Sequence, residues 1–115
     1  MGLFSGLFGS SLPSLDAGQA QAKLREQPAP FLLDVRQPDE YRAGHIEGAS
    51  LIPLGELGQR LAELPRDTEI ICVCHSGSRS SHATRLLGKQ GYKAVNLHGG
   101  MIAWAGAGLP IKTGR

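Results

Sequence analysis

Four short apolar runs punctuate the chain, each too short to be a globular helix. They are Phe31-Leu32-Leu33-Asp34-Val35, Ala49 to Ile52 ended by Pro53, Glu69 to Cys74, and Tyr92 to Leu97. Runs of this length, bounded by Pro and Gly, predict strands buried on both faces. The segments between them carry helical signals. Ser14 to Gln27 predicts a helix, with Ser14 as its cap and Pro28 as its stop. Gln37 to Tyr41 predicts a brief helical turn, with Pro38 at its start, where the missing N–H does no harm. Leu54, Leu57, Leu61 and Leu64 recur at helical spacing and predict a helix from Leu54 to Leu64 ended by Pro65. A further helix is expected from Ser80 to Gln90, stopped by Gly91, and a last one from Met101 to Ala105 after Gly99-Gly100. Strands alternating with helices imply an α/β fold, a mainly parallel sheet with helices on both faces. The expected layout is an apolar N-terminal tail over 1–13, one domain over 14–110 and a short tail over 111–115.

In such folds ligands sit at the carboxyl ends of the strands. The third run ends on Cys74, and Cys74-His75-Ser76-Gly77-Ser78-Arg79 joins it directly to a helix. A loop wrapped around one thiol aims successive backbone N–H groups inward at a helix N-terminus, an anion-binding arrangement. Gly77 supplies the φ > 0 freedom that such curvature needs. A free thiol titrates near ~8.5, and surroundings of this kind favour the thiolate, the nucleophilic form. Cys74 is therefore the candidate nucleophile. Cys72, two residues earlier on the strand, faces the same side and is read as a buried small residue. Strand geometry opposes a resolving bond between the two, and no second ligand pair supports a metal site.

Composition narrows the classes. The 115 residues are one domain's worth, with 12 basic and 10 acidic side chains for a net charge of +2. Basic residues form no block, so nucleic acid is not an expected partner. Two cysteines one residue apart cannot staple a secreted fold, which points to a reducing, cytoplasmic setting. The uncharged, partly apolar start, Met1 to Leu15, is too short and too broken by Gly, Ser and Pro13 to span a bilayer. The first basic residue, Lys23, comes too late for a signal peptide, and Gly6 stands where a myristoylation start requires Ser or Thr. A frayed tail is the expectation there, and a monomer for the whole.

Several motifs together resemble the rhodanese domain family. Asp34-Val35-Arg36, Glu40-Tyr41, Gly44-His45-Ile46-Glu47-Gly48-Ala49 and Ile52-Pro53 resemble its leading signature. Cys74 to Arg79 resembles its active-site loop, and Gly99-Gly100 with Trp104 its closing motif. The resemblance implies a rhodanese-like sheet of four to five strands. It also implies transfer of a sulfane sulfur, from thiosulfate or a persulfide, through a Cys74 persulfide to cyanide or a thiol. A protein sulfur acceptor is a further expected partner; no cofactor and no metal are required. Four residues separate Cys74 from Arg79, whereas phosphatases on this fold have five, and the smaller bowl suits a sulfur atom.

Around Cys74, His75, Ser76, Gly77, Ser78 and Arg79 are the candidate substrate-binding residues. The Arg79 fork is expected to bind loop carbonyls or hold an anionic donor. Ser76 and Ser78 either rim the bowl or serve the turn, and Ser80 reads as a helix N-terminal residue. Asp34, Arg36 and His45 are expected to shape the site from beside it, as a charge cluster with Glu40 or His45. His98 and Trp104 are expected to pack and fix loops, with Trp104 also a candidate pocket wall. The rival to an enzyme is a persulfide carrier or regulatory module docked to a partner protein.

Overall fold

In the computed structural model, which describes residues 12–115, the apolar runs supply four of the strands of a five-stranded sheet. The strands are β1 (Ser14–Leu15), β2 (Phe31–Asp34), β3 (Ser50–Leu51), β4 (Ile70–Val73) and β5 (Ala94–Leu97). All pair in parallel, in the order β1-β5-β4-β2-β3. The helices are α1 (Ala17–Leu24), α2 (Pro38–Ala43), α3 (Leu54–Leu57), α4 (Ser78–Lys89) and α5 (Gly100–Gly106), with a 3₁₀ turn at Leu61–Glu63.

Every residue of β4 is fully buried, as a central parallel strand covered on both sides requires. Alternate residues feed two cores. Leu33, Ile70 and Cys72 pack with Leu57, Ala83 and Leu87 of α3 and α4 on one face. Leu32, Ile71 and Val73 pack with Ala17 and Ala20 of α1 and with Met101 and Trp104 of α5 on the other. From β2 the chain runs outward to β3, then returns to place β4 on the opposite side of β2. That reversal opens a crevice beyond the carboxyl ends of β2 and β4. Asp34 and Arg36 stand at one side of it and Cys74 at the other.

Three expected elements differ. Ser14 and Leu15 form an edge strand rather than starting a helix, because backbone bonds from Asn96 N to Pro13 O and His98 N to Leu15 O zip them onto β5. Asp16 is the cap, its carboxylate accepting from Gln19 N while the Gln19 side chain accepts from Asp16 N. The helix then ends at Leu24, three residues early. The leucine stripe from Leu54 to Leu64 faces the core as expected, but it belongs to α3 and the 3₁₀ turn, which are split at Gly58–Arg60. Glycine is a poor helix interior residue, and Gly58 serves here as a C-cap. At Tyr92 the strand has not begun: its hydroxyl donates to Leu61 O and its N–H to Leu87 O, a bridge between elements.

Of the expected tails, residues 1–11 lie outside the described residues. At the other end the segment is tied down: Lys112 exchanges two backbone bonds of 2.8 Å with His45, and Gly114 N donates to Arg42 O.

Candidate active site

The strand places Cys74 one residue past the end of β4, and the chain then curls back to start α4 four residues later. Gly77 makes the curl, with φ +107° as the N-cap of α4. A side chain there would be strained in this left-handed region. The curl brings three donors onto Cys74 Sγ: Gly77 N at 3.1 Å, Ser80 N at 3.3 Å and Ser80 Oγ at 3.3 Å. Two are backbone groups of a loop and a helix N-terminus, so their partial positive charge is fixed in place. Such donors stabilise negative charge on sulfur.

Behind the sulfur runs a buried polar chain. Ser80 Oγ lies 2.6 Å from Asn96 Oδ1 on β5, and Asn96 Nδ2 donates to Ser81 Oγ at 3.2 Å. Ser81 Oγ in turn donates to Gly77 O at 2.6 Å, closing the ring onto the loop. The Ser80 hydroxyl has one proton and three acceptors in reach: Asn96 Oδ1, Gly77 O and Cys74 Sγ. The shortest contact is to Asn96. Ser80 thus touches the sulfur as well as sitting in the first turn of α4, a correction to its reading as a helix-start residue alone. Nothing in the local sequence separates it from Ser81, and Asn96 is 22 residues from Cys74 along the chain.

Arg79 does not hold loop carbonyls. Its two terminal nitrogens grip the Glu40 carboxylate at 2.7 and 2.9 Å, because an anionic fork-shaped acceptor outcompetes neutral oxygens. The Arg79 hydrogen bond holds the Glu40 carboxyl well below its usual range, at about 2. Both side chains are about one-third exposed, so the pair ties the loop to α2 with only modest energy, about 0–1 kcal/mol.

The expected charge cluster divides in two. Arg36 is buried and forks onto Asp34, with 2.7 Å between Nη2 and Oδ2, and donates to Gly44 O at 2.8 Å. Glu40 belongs to Arg79 instead, and His45 joins neither pair. His45 stacks on Tyr41 with ring centroids 3.7 Å apart, its Nδ1 2.7 Å from Tyr41 O. His75, Ser76 and Ser78 are exposed on the loop. His98 is also exposed, and its backbone N–H ties β1 to the sheet through Leu15 O rather than fixing the Cys74 loop. Trp104 is core, donating from Nε1 to Pro110 O, and does not line the neighbouring cleft.

Gly99-Gly100 closes the site from the far side. Gly100 has φ +58°, and a Cβ there would collide with the carbonyls of Cys74 and His75, the latter at 2.6 Å. That absence of side chain lets α5 dock end-on: Met101 N donates to Cys74 O and Ile102 N to His75 O. A Rhodanese-like domain model matches residues 16–107, which hold all of this machinery. The chain belongs to the rhodanese-like domain family.

Relatives agree. A sulfurtransferase of Allochromatium vinosum is 38% identical over 98 residues, covering 84% of this chain and 92% of the relative. A Bacillus subtilis protein provisionally named a sulfur carrier is 42% identical over 98 residues, covering 84% of this chain and 53% of the relative. This rhodanese-like chain thus spans about half the length of that relative. The crystal structure of a rhodanese-related protein from Thermoplasma volcanium matches with a TM-score of 0.81 at 31% identity, covering 87% of this chain and 97% of that one. The five-stranded parallel sheet is the rhodanese-like fold.

Proposed function

We propose that this rhodanese-like domain is a sulfurtransferase that moves a sulfane sulfur through a persulfide on Cys74. The observation that carries the reading is the convergence of Gly77 N, Ser80 N and Ser80 Oγ on one sulfur at the carboxyl end of a buried strand. The sulfurtransferase and sulfur-carrier names of its relatives support the same chemistry.

In the first step the Cys74 thiolate attacks the outer sulfur of thiosulfate or of a persulfide donor. The Sγ–S bond forms as the donor's S–S bond breaks, and sulfite or a thiolate departs with the electron pair. In the second, a thiolate or cyanide attacks the outer sulfur of Cys74–S–S⁻, and Sγ leaves as thiolate. Electrons balance without an external oxidant or cofactor. The donors on Sγ serve both ends of the cycle, since charge gathers on that atom in the resting state and as it leaves. The Arg79–Glu40 pair positions the loop, and Ser76, Ser78 and His75 meet the donor at its rim. Asp34, Arg36 and His45 brace the neighbouring loop.

The test is thiosulfate-to-cyanide and persulfide-to-thiol transfer by purified protein beside Cys74→Ser, with intact mass after donor alone. The reading expects a mass gain of one sulfur and turnover, both lost in Cys74→Ser. A folded protein that takes up sulfur from neither donor would sink it. The provisional sulfur-carrier name of the Bacillus subtilis relative favours a second reading, a carrier docked to a partner. Stoichiometric loading without multiple turnover on small acceptors would select it.

A further inference from the structure

One cleft of about 610 Å³ opens beside the Cys74 loop, and its character differs from the polar bowl. Its walls are Ala43 of α2, Met101, Ile102 and Ala105 of α5, and Ile111 of the C-terminal segment. Among the described residues, the exposed large hydrophobics are Ile102 and Ile111, 55% and 44% exposed, and both line this cleft. Neither hangs free. Ile102 is held by its N–H bond to His75 O, and Ile111 packs on Gly44 next to the Lys112–His45 bridge. The backbone that carries both side chains is therefore fixed, and the volume is that of a small-molecule site.

At the loop end the cleft meets Arg36, Glu40 and His75. Its one arginine is bound to Asp34 and its one carboxylate to Arg79. An anionic ligand finds no uncommitted arginine or lysine in the lining, and a cationic one finds no uncommitted carboxylate. What remains favourable is burial of apolar surface. His75 belongs to both the cleft and the loop, so a ligand lying in the cleft presents one end at the mouth of the bowl.

Resting on the sulfurtransferase reading above, we propose that the cleft seats the sulfur acceptor, and that this acceptor is a thiol on an uncharged aliphatic body. The acceptor thiolate attacks the outer sulfur of Cys74–S–S⁻, forming R–S–S⁻ while Cys74 Sγ leaves as thiolate. The apolar body docks against Ile102 and Ile111 and takes no part in the bond changes.

Two measurements decide it. Titration with straight-chain alkanols of four to eight carbons, followed by NMR of the Ile102 and Ile111 methyl groups, reads the cleft without any sulfur chemistry. Affinity is expected to rise about two- to fourfold per methylene, as partial burial of each CH₂ requires. Acceptor kinetics with HS–(CH₂)n–OH, n from 3 to 8, should then show kcat/KM rising by the same factor per carbon. Mercaptoalkanoates of equal length should be about fivefold or more slower. Ile102→Ser and Ile111→Ser should flatten both dependences, and Ile102→Leu should restore them. Alkanols that leave these methyls unmoved overturn the proposal, as does a flat chain-length dependence in a protein that loads sulfur normally. If no donor loads Cys74, the sulfurtransferase reading fails, and with it the acceptor's chemistry; the alkanol titration still decides whether the apolar site exists.

Discussion

Cys72 and Cys74 are the same residue type, two positions apart and in the same core cluster. Their surroundings differ completely. Cys72 lies inside β4 with the sheet on both flanks, and burial pushes its thiol up to about 12. Cys74 is just as buried, at 1% exposed, yet it stands past the strand's last residue with Gly77 N, Ser80 N and Ser80 Oγ all within hydrogen-bond distance of its sulfur. Burial alone makes a thiol inert; burial among aimed donors makes a site. The difference is made by the backbone, which leaves the sheet ladder after Val73 and turns its N–H groups onto the next sulfur.

The sharpest way to break the contrast is to remove each thiol in turn. Cys74→Ser should reduce sulfur transfer by roughly a thousandfold or more, while Cys72→Ala should leave turnover within about twofold and cost about 1–2 kcal/mol in urea unfolding. Equal losses of activity would end the distinction.

Striking the bowl without touching sulfur comes next. Gly100→Ala places a methyl against the Cys74 and His75 carbonyls in a left-handed conformation. It should destabilise by about 2–3 kcal/mol or more, seen as a lower urea midpoint, and slow alkylation of Cys74 in the fraction that stays folded.

Asn96→Asp probes the polar chain behind the sulfur. The new carboxylate would take the Ser80 proton permanently and add negative charge near Sγ. Alkylation of Cys74 at pH 7 should slow about tenfold and recover as pH rises, a recovery that mere structural damage would not show.

The pH dependence of each region sharpens the comparison further. Cys72 has a raised folded-state value, so its contribution is intact below the ordinary thiol range and is lost as pH rises from there toward about 12. Iodoacetamide at pH 8 should therefore label Cys74 alone in the native protein, with Cys72 labelled only after unfolding. Glu40 has the opposite sign. Its stabilisation is present above its ordinary value of 4.5 and is lost as pH falls toward about 2. Since the pair is one-third exposed, Glu40→Gln should cost below about 1 kcal/mol at pH 6, a gap that closes by pH 2.

Much of this was legible along the chain. The run ending at Cys74, the turn at Gly77, the helix that follows and Gly99-Gly100 are each announced by neighbouring residues, because strand burial, positive φ and helix starts are local matters. The parallel α/β arrangement follows from the same alternation. What escaped depends on residues far apart in sequence. Glu40 and Arg79 are 39 positions apart, and Ser80 and Asn96 are 16. The edge pairing of Ser14 and Leu15 is supplied by β5, about 80 residues later. The apolar cleft combines α2, α5 and the last residues, none of which reads as a binding segment alone.

By itself, then, the sequence determined which sulfur stands at a strand's end, where the chain must turn around it, and which glycines permit the turn. These are consequences of covalent geometry and of short-range burial patterns. Only the tertiary structure decided which groups meet that sulfur from behind, that Arg79 is committed to Glu40, and that two isoleucines face an open cleft beside the loop. Those outcomes follow from competition among distant partners for a few hydrogen bonds and a few square ångströms of contact, which is settled only when the sheet has brought them together.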